Sequence, residues 1–167
     1  MIKLLLDRLA TPIGTVLLVH DEAGRLRALD FEDFEPRMRQ LLRLQVGVVE
    51  LTPAPSPVSR LVHAYFEGGH GELETIRTET GGTPFQRAVW AALRTIPLGQ
   101  TLSYSALAAR IGRPTASRVV GMANGANPIA IVVPCHRVIG ADQSLTGFGG
   151  GLHRKRWLLE HEGAVVK

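Results

Sequence analysis

The 167-residue sequence holds a single cysteine, Cys135, which rules out an internal disulfide and any metal site built on several thiolates. Aromatics are scarce, with five Phe, two Tyr and two Trp, so each one outside a clear core pattern asks for a role. Long apolar runs are missing too. The opening stretch MIKLLLDRLATPIG is apolar only over Leu4–Leu6 before Asp7 and Arg8, too short for a signal-peptide core or a membrane span. The expectation is a cytoplasmic protein with a reduced thiol and no membrane partner. Acidic residues are scarce in one half only. Residues 81–167 carry three Asp/Glu against ten Lys/Arg, for +7, whereas residues 1–80 carry twelve against nine, for −3. A basic half joined to an acidic one points the basic half towards a polyanion, since each phosphate neutralised by Lys or Arg releases a condensed counterion. A solvated basic face without a partner would leave the same pattern.

What is present reads as an α+β chain in two parts, 1–80 and 81–167, with the change of character at Thr80-Gly81-Gly82. In the first part Lys3–Leu9, Thr15–His20 and Arg25–Phe31 alternate as strands of an antiparallel meander, with Asp21-Glu22-Ala23-Gly24 as one turn. Glu35–Val46 has helical spacing. Pro53, Pro55 and Pro57 break the chain before a short helix bearing Leu61, Val62, Tyr65 and Phe66, capped by Ser56 or Ser59 and ended by Gly68-Gly69-His70-Gly71.

In the second part, Thr83, Pro84 and Gln86 form a capping-box pattern ahead of an apolar stripe of Phe85, Val89, Ala92, Leu93 and Ile96. Ser103 can cap a second helix through Ile111. Gly112-Arg113-Pro114 then turns the chain into a third, starting at Thr115 or Ala116 and running to about Asn124. Two short helices around such a turn have the form of a helix-turn-helix, and Arg118 lies early on the second. Helical hairpins in ordinary cores share the pattern.

Ile129–Val133 is a β-branched run that reads as a buried strand, and Pro134-Cys135-His136-Arg137-Val138 follows it. A lone cysteine after an apolar run is usually an inert small hydrophobe. Its neighbours here argue otherwise, because an adjacent imidazole or cation is what lowers a thiol pKa and supplies thiolate at neutral pH.

The segment Pro134–Val138 resembles the active-site signature of the O6-alkylguanine-DNA alkyltransferases. The similarity runs from Gly82 to Gly163 through FQRAVW, SYSALA, SRVVGMANGANP, IVVPCHRVIG, TGFGGG and RKRWLLEHEG, in family order and spacing. It implies direct-reversal DNA repair, with irreversible, single-turnover transfer of an alkyl group from O6-alkylguanine, and also O4-alkylthymine, to Cys135. The implied fold is a ribonuclease-H-like N-terminal sheet with helices, followed by a mostly helical domain carrying a winged-helix-like helix-turn-helix.

Carried over by position, Cys135 is the acceptor, His136 relays its proton through a water, and Glu162 orients the imidazole and favours imidazolium. Tyr104 hydrogen-bonds the guanine and donates a proton, and Asn127 is the hinge before the active-site segment. Arg118 fills the stack after base flipping from the minor groove, within a DNA-facing set of Thr115, Ser117, Arg118, Ala123, Asn124 and Tyr104. His161, beside Glu162, is expected at the surface. The implied partner is double-stranded DNA containing O6-alkylguanine, bound by a monomer, with cooperativity along the strand left open. No cofactor is implied, and the zinc-binding cysteines of some relatives are missing. Val138, Phe148, Gly149 and Gly150 line the implied guanine pocket. Phe148 and Gly149 stand where many relatives have tyrosine and serine, so the wall keeps a ring, loses hydroxyls and gains room for larger alkyl groups. Two other classes stand against this reading. A lesion-sensing or regulatory DNA-binding module needs no acceptor cysteine, and a cysteine hydrolase would turn over through a thioester.

Overall fold

A computed structural model describes residues 1–69 and 72–166, so the part of the expected glycine-rich stop formed by His70 and Gly71 lies outside the described residues. The chain divides into two compact units: Met1–Gly82 with Pro128–Val132, and Thr83–Asn127 with the chain from Val133 onward. The sequence division at 80/81 had put Pro128–Val132 in the second part.

The first unit is built on β1 (Ile2–Leu9), β2 (Val16–His20), β3 (Leu26–Phe31) and β4 (Val49–Pro53), in the order β3-β2-β1-β4. The first three form the expected antiparallel meander, with Leu6 opposite Val19 and Val19 opposite Ala28. Alternation in β1 and β2 sends Leu4, Leu6, Leu17 and Val19 to one core, closed by Met38 and Leu42 of α1 (Glu35–Gln45). β4 was hidden in the sequence. It pairs parallel to β1, Ile2 to Val49, as an edge strand whose Glu50 and Thr52 are exposed, and its Pro53, opposite Leu6, lacks an N–H, which an edge strand tolerates. Helix α2 (Ser59–Phe66) buries Val62, Tyr65 and Phe66, but its N-cap is Val58 and no side chain caps it, so the expected serine cap is absent. Ser56 instead takes the Val58 amide on its hydroxyl.

The expected strand at 129–133 is also corrected. Only Ile129 bridges β3, with the Leu29 amide on the Pro128 carbonyl and the Ala130 amide on the Leu29 carbonyl. The chain then turns: Val132 bonds back to Ala130, and Ile131 stands at φ 72°, costly for a β-branched residue. The β-branched run reported burial correctly and conformation wrongly.

The second unit contains α3 (Pro84–Leu93), β5 (Leu102–Ser103), α4 (Tyr104–Arg110), α5 (Ser117–Gly125), β6 (Val138–Ile139) and α6 (Leu152–His161). Thr83 and Gln86 make the expected capping box, and Ser103 caps α4 by accepting the Ala106 amide. Between α4 and α5, Gly112 takes φ 76° and Arg113 bonds back to the Ala108 carbonyl, so α5 begins at Ser117, a residue or two later than expected. α5 packs on both α3 and α4, and the Trp90 indole N–H donates to the Ala123 carbonyl at 2.8 Å. No helix among the described residues is long and apolar enough to cross a membrane.

Candidate active site

Cys135 opens a single 3-10 turn, Cys135–Arg137, whose three residues are all buried; Cys135 itself is 8% exposed. Asn124 near the end of α5 and Asn127 just beyond it brace the turn. Asn127 Nδ2 donates to the Val133 carbonyl at 2.8 Å, and Asn124 Nδ2 to the Cys135 carbonyl at 3.4 Å. The Cys135 amide also donates to the Val133 carbonyl, at 2.8 Å. Backbone position here is set by side chains, which suits a segment with no ladder.

Beyond the cysteine the polar groups are buried and interlocked. His136 Nε2 lies 2.8 Å from Glu162 Oε2, and both side chains are fully inaccessible. Arg137 donates from Nε to Glu162 Oε1 at 2.9 Å and from a terminal nitrogen to Oε2 at 3.1 Å, while its other terminal nitrogen donates to the Ile96 carbonyl at 2.7 Å. Glu162 sits just past α6, and Gly99 follows α3 at φ 83°, where a Cβ would lie 3.1 Å from the Glu162 carbonyl. Glycine there lets the two helix ends approach.

Burial opposes ionisation of Glu162, yet the His136 and Arg137 contacts overcome it and hold the carboxyl well below the usual carboxylate range. For His136 burial wins. It keeps the imidazole below its ordinary value against the pull of Glu162, helped by Arg137 and Lys155. Burial thus opposes the imidazolium that Glu162 favours. In the tautomer that gives Nε2–H to Glu162, the buried Nδ1 is an acceptor with no hydrogen-bond partner among the described residues.

Tyr104, half-buried at the start of α4, lays its ring beside Gly121 of α5 and accepts the Thr146 hydroxyl on its phenol oxygen at 3.2 Å. The loop containing Phe148, Gly149 and Gly150 is anchored from α6. Lys155 is wholly buried and donates from Nζ to the Val138 carbonyl at 2.6 Å and to the carbonyls of Thr146 and Gly147, while Arg154 reaches the Gly150 carbonyl at 3.2 Å. Burial lowers the Lys155 pKa to about 8, against an opposing contribution from Cys135. Phe148 is half-buried, Gly149 exposed, and Val138 and Gly150 buried.

The structure thus brings Cys135, His136, Glu162 and Asn127 around one turn, and joins Tyr104 and Val138 to the loop beside it. On α5, Arg118 is exposed, as is Thr115 ahead of it, with Ser117 half-buried. Ala123 and Asn124, expected on the DNA-facing surface, are each 5% exposed and point inward, because they sit on the α5 face that meets Trp90 and the cysteine turn. The outward apolar residues of α5 are Val119 and Met122. His161 is half-buried and stacks on Trp157 with centroids 4.5 Å apart, so it is less exposed than expected. Sequence reasoning missed Lys155 altogether and read Arg137 only as a neighbour of the thiol. A cation at period four on the inner face of α6 was the available signal for Lys155. Among the described residues, no cluster of three or more His, Cys, Asp or Glu could hold a metal ion.

Residues 84–164 match the family described as 6-O-methylguanine DNA methyltransferase, DNA binding domain. The methylated-DNA–protein-cysteine methyltransferase of Salmonella typhimurium is 52% identical over 170 aligned residues, covering 99% of each chain. The chain belongs to this methyltransferase family. The methyltransferase of Methanosarcina acetivorans is 44% identical over 156 residues, covering 92% of this chain and 95% of its own. The crystal structure of Mycobacterium tuberculosis OGT in complex with DNA superposes with a TM-score of 0.82 at 42% identity, covering 95% of this chain and 92% of that one. The α+β architecture matches that of this OGT structure.

Proposed function

We propose that Cys135 is the single-use acceptor of a methyl or larger alkyl group from O6-alkylguanine, and from O4-alkylthymine, in double-stranded DNA. The observation that carries this reading is the buried His136–Glu162 contact on the turn that Cys135 opens. With the imidazole neutral and its Nε2–H on Glu162, Nδ1 is left as a base that no described protein group uses. A water between Nδ1 and the thiol satisfies that nitrogen and carries the proton away as sulfur attacks. The S–C bond forms as the C–O6 bond breaks, and the purine leaves with a proton supplied by the Tyr104 phenol. The product is a thioether. It has neither the carbonyl through which water opens a thioester nor a good leaving group, so the protein reacts once and needs no cofactor.

Substrate access requires the nucleotide to leave the stack, since pairing crowds O6 within the duplex. The exposed Arg118, with Thr115 and Ser117 around the start of α5, is read as the minor-groove contact, Arg118 filling the vacated position. Val119 and Met122 add apolar surface on the same helix. Tyr104, Val138, Phe148, Gly149 and Gly150 are read as the base pocket, and Asn127 as the hinge of the active turn. The sheet order, with β4 parallel to β1, supports a ribonuclease-H-like first unit, and α4–α5 the helix-turn-helix of a winged-helix-like second unit. A cytoplasmic monomer suits the work. Titration with a duplex carrying one O6-methylguanine tests the reading: the methyl accepted should plateau at one per chain, and Cys135→Ala should accept none while still binding DNA. Continued turnover would overturn it.

A further inference from the structure

His136 and Glu162 form a buried pair whose charge is already matched by a third group. The carboxylate receives two nitrogens of the Arg137 guanidinium, one on each oxygen, at 2.9 and 3.1 Å, and the Oε2 that accepts from Arg137 is the one 2.8 Å from His136 Nε2. With the imidazole neutral, the trio holds one negative and one positive charge. Protonating His136 would leave a net positive charge in a site shielded from bulk solvent, with the Lys155 ammonium also bearing on it. The forked geometry also fixes the carboxylate plane, and the Ile96 carbonyl takes the remaining terminal nitrogen at 2.7 Å, so the guanidinium cannot swing away.

We infer that Arg137 is a positioning residue that keeps His136 as the neutral Nε2–H tautomer, with the Nδ1 lone pair free to take the thiol proton. This deepens the reading of Cys135 as acceptor and rests on it. The charged groups that bear on the imidazole are Glu162 and Lys155 from the α6 side, and Arg137 from its own turn. Of these only Arg137 touches the carboxylate that His136 uses. Without its guanidinium, protonating the imidazole makes the His136–Glu162 pair neutral instead of leaving the trio positive.

The test is a ring-nitrogen NMR titration of His136 in the full chain, on a Cys135→Ala background so that the thiol does not titrate alongside it. With Arg137 in place, the imidazole should remain neutral at pH 6.5, protonated at Nε2 and bare at Nδ1. In Arg137→Met the midpoint should rise by about one pH unit or more. Arg137→Lys retains a charge without the fork, and its midpoint should fall between the two. A wild-type-background midpoint at or above the ordinary histidine value, or an unchanged midpoint in Arg137→Met, overturns the inference. If Arg137→Met does not fold, the titration with Arg137 in place and that of Arg137→Lys still decide it. Methyl transfer by the unmodified chain is measured separately, so loss of the acceptor reading would show there and not in the titration.

Discussion

Glu162 and His136 meet at 2.8 Å on side chains that solvent cannot touch, although Glu162 lies beyond the last turn of α6. Both hold pKa values below their ordinary ones in the folded chain, and linkage makes the sign of the consequence definite. Where the unfolded chain binds more protons than the folded one, stability rises with pH. His136, whose pKa is lowered chiefly by burial, therefore contributes stability that is lost as pH falls below the ordinary histidine range. His20, lowered for the same leading reason, acts in the same direction. Glu162 adds a second loss as pH falls through and below the ordinary carboxylate range. Denaturant midpoints should decline from pH 7 to 5 and more steeply below 4.5. Glu162→Gln, which strands the Arg137 guanidinium, should cost about 3–5 kcal/mol at pH 7 and flatten the acid limb. A mutant as stable as the parent would contradict the burial argument.

The proposed base flipping can be separated from the chemistry at Arg118. Its side chain is exposed on α5 and lies outside the contacts that fix the cysteine turn. Arg118→Ala should transfer from free O6-benzylguanine at near the parent rate. Transfer from duplex should drop tenfold or more, since about 1.4 kcal/mol of uncompensated unstacking is already a factor of ten. Equal losses on both substrates would instead assign Arg118 to the fold.

Salt dependence should follow the exposed cations and not the formal +7. Arg137, Arg154 and Lys155 are buried and bound to protein carbonyls or carboxylate, whereas Arg87, Arg110, Arg113, Arg118 and Arg156 are exposed. Duplex affinity should fall with salt at a log-log slope of about 0.9 per neutralised phosphate, and Arg118→Ala should reduce that slope by about 0.9 if it contacts one. Salt-independent binding would remove phosphate contact from the account.

Gly81 is a stability determinant of the first unit. A Cβ there would fall 1.9 Å from the Gln45 carbonyl oxygen, a backbone atom that cannot step aside. Gly81→Ala should destabilise by about 1–3 kcal/mol or more in denaturant unfolding. A neutral result would mean that the α1 end and residue 81 do not approach so closely.

Much of this was legible in the sequence because local chemistry agreed with the fold. Thr83/Gln86 and Ser103 cap the helices they announce, and alternation in β1–β3 marks the buried face. What escaped was decided by distant partners. β4 exists because β1 offers it an edge, and 129–133 is buried without being a strand because its amides find only β3 before the chain turns. The acceptor cysteine was visible through its neighbours and the family pattern. The roles of Arg137 and Lys155 were not, since a cation's burial depends on carbonyls and a carboxylate far away in sequence. Ala123 and Asn124 failed as surface residues for a related reason. Helical phase alone does not say which face of a short helix is covered on two sides.

The most direct measurement is peptide mass analysis after mixing the chain with duplex DNA containing O6-methylguanine. The account predicts a gain of one methyl group, confined to the peptide holding Cys135 and never exceeding one per chain however much substrate is added. Methyl on any other residue, or an unmodified Cys135 in a chain that has demethylated the DNA, would contradict it.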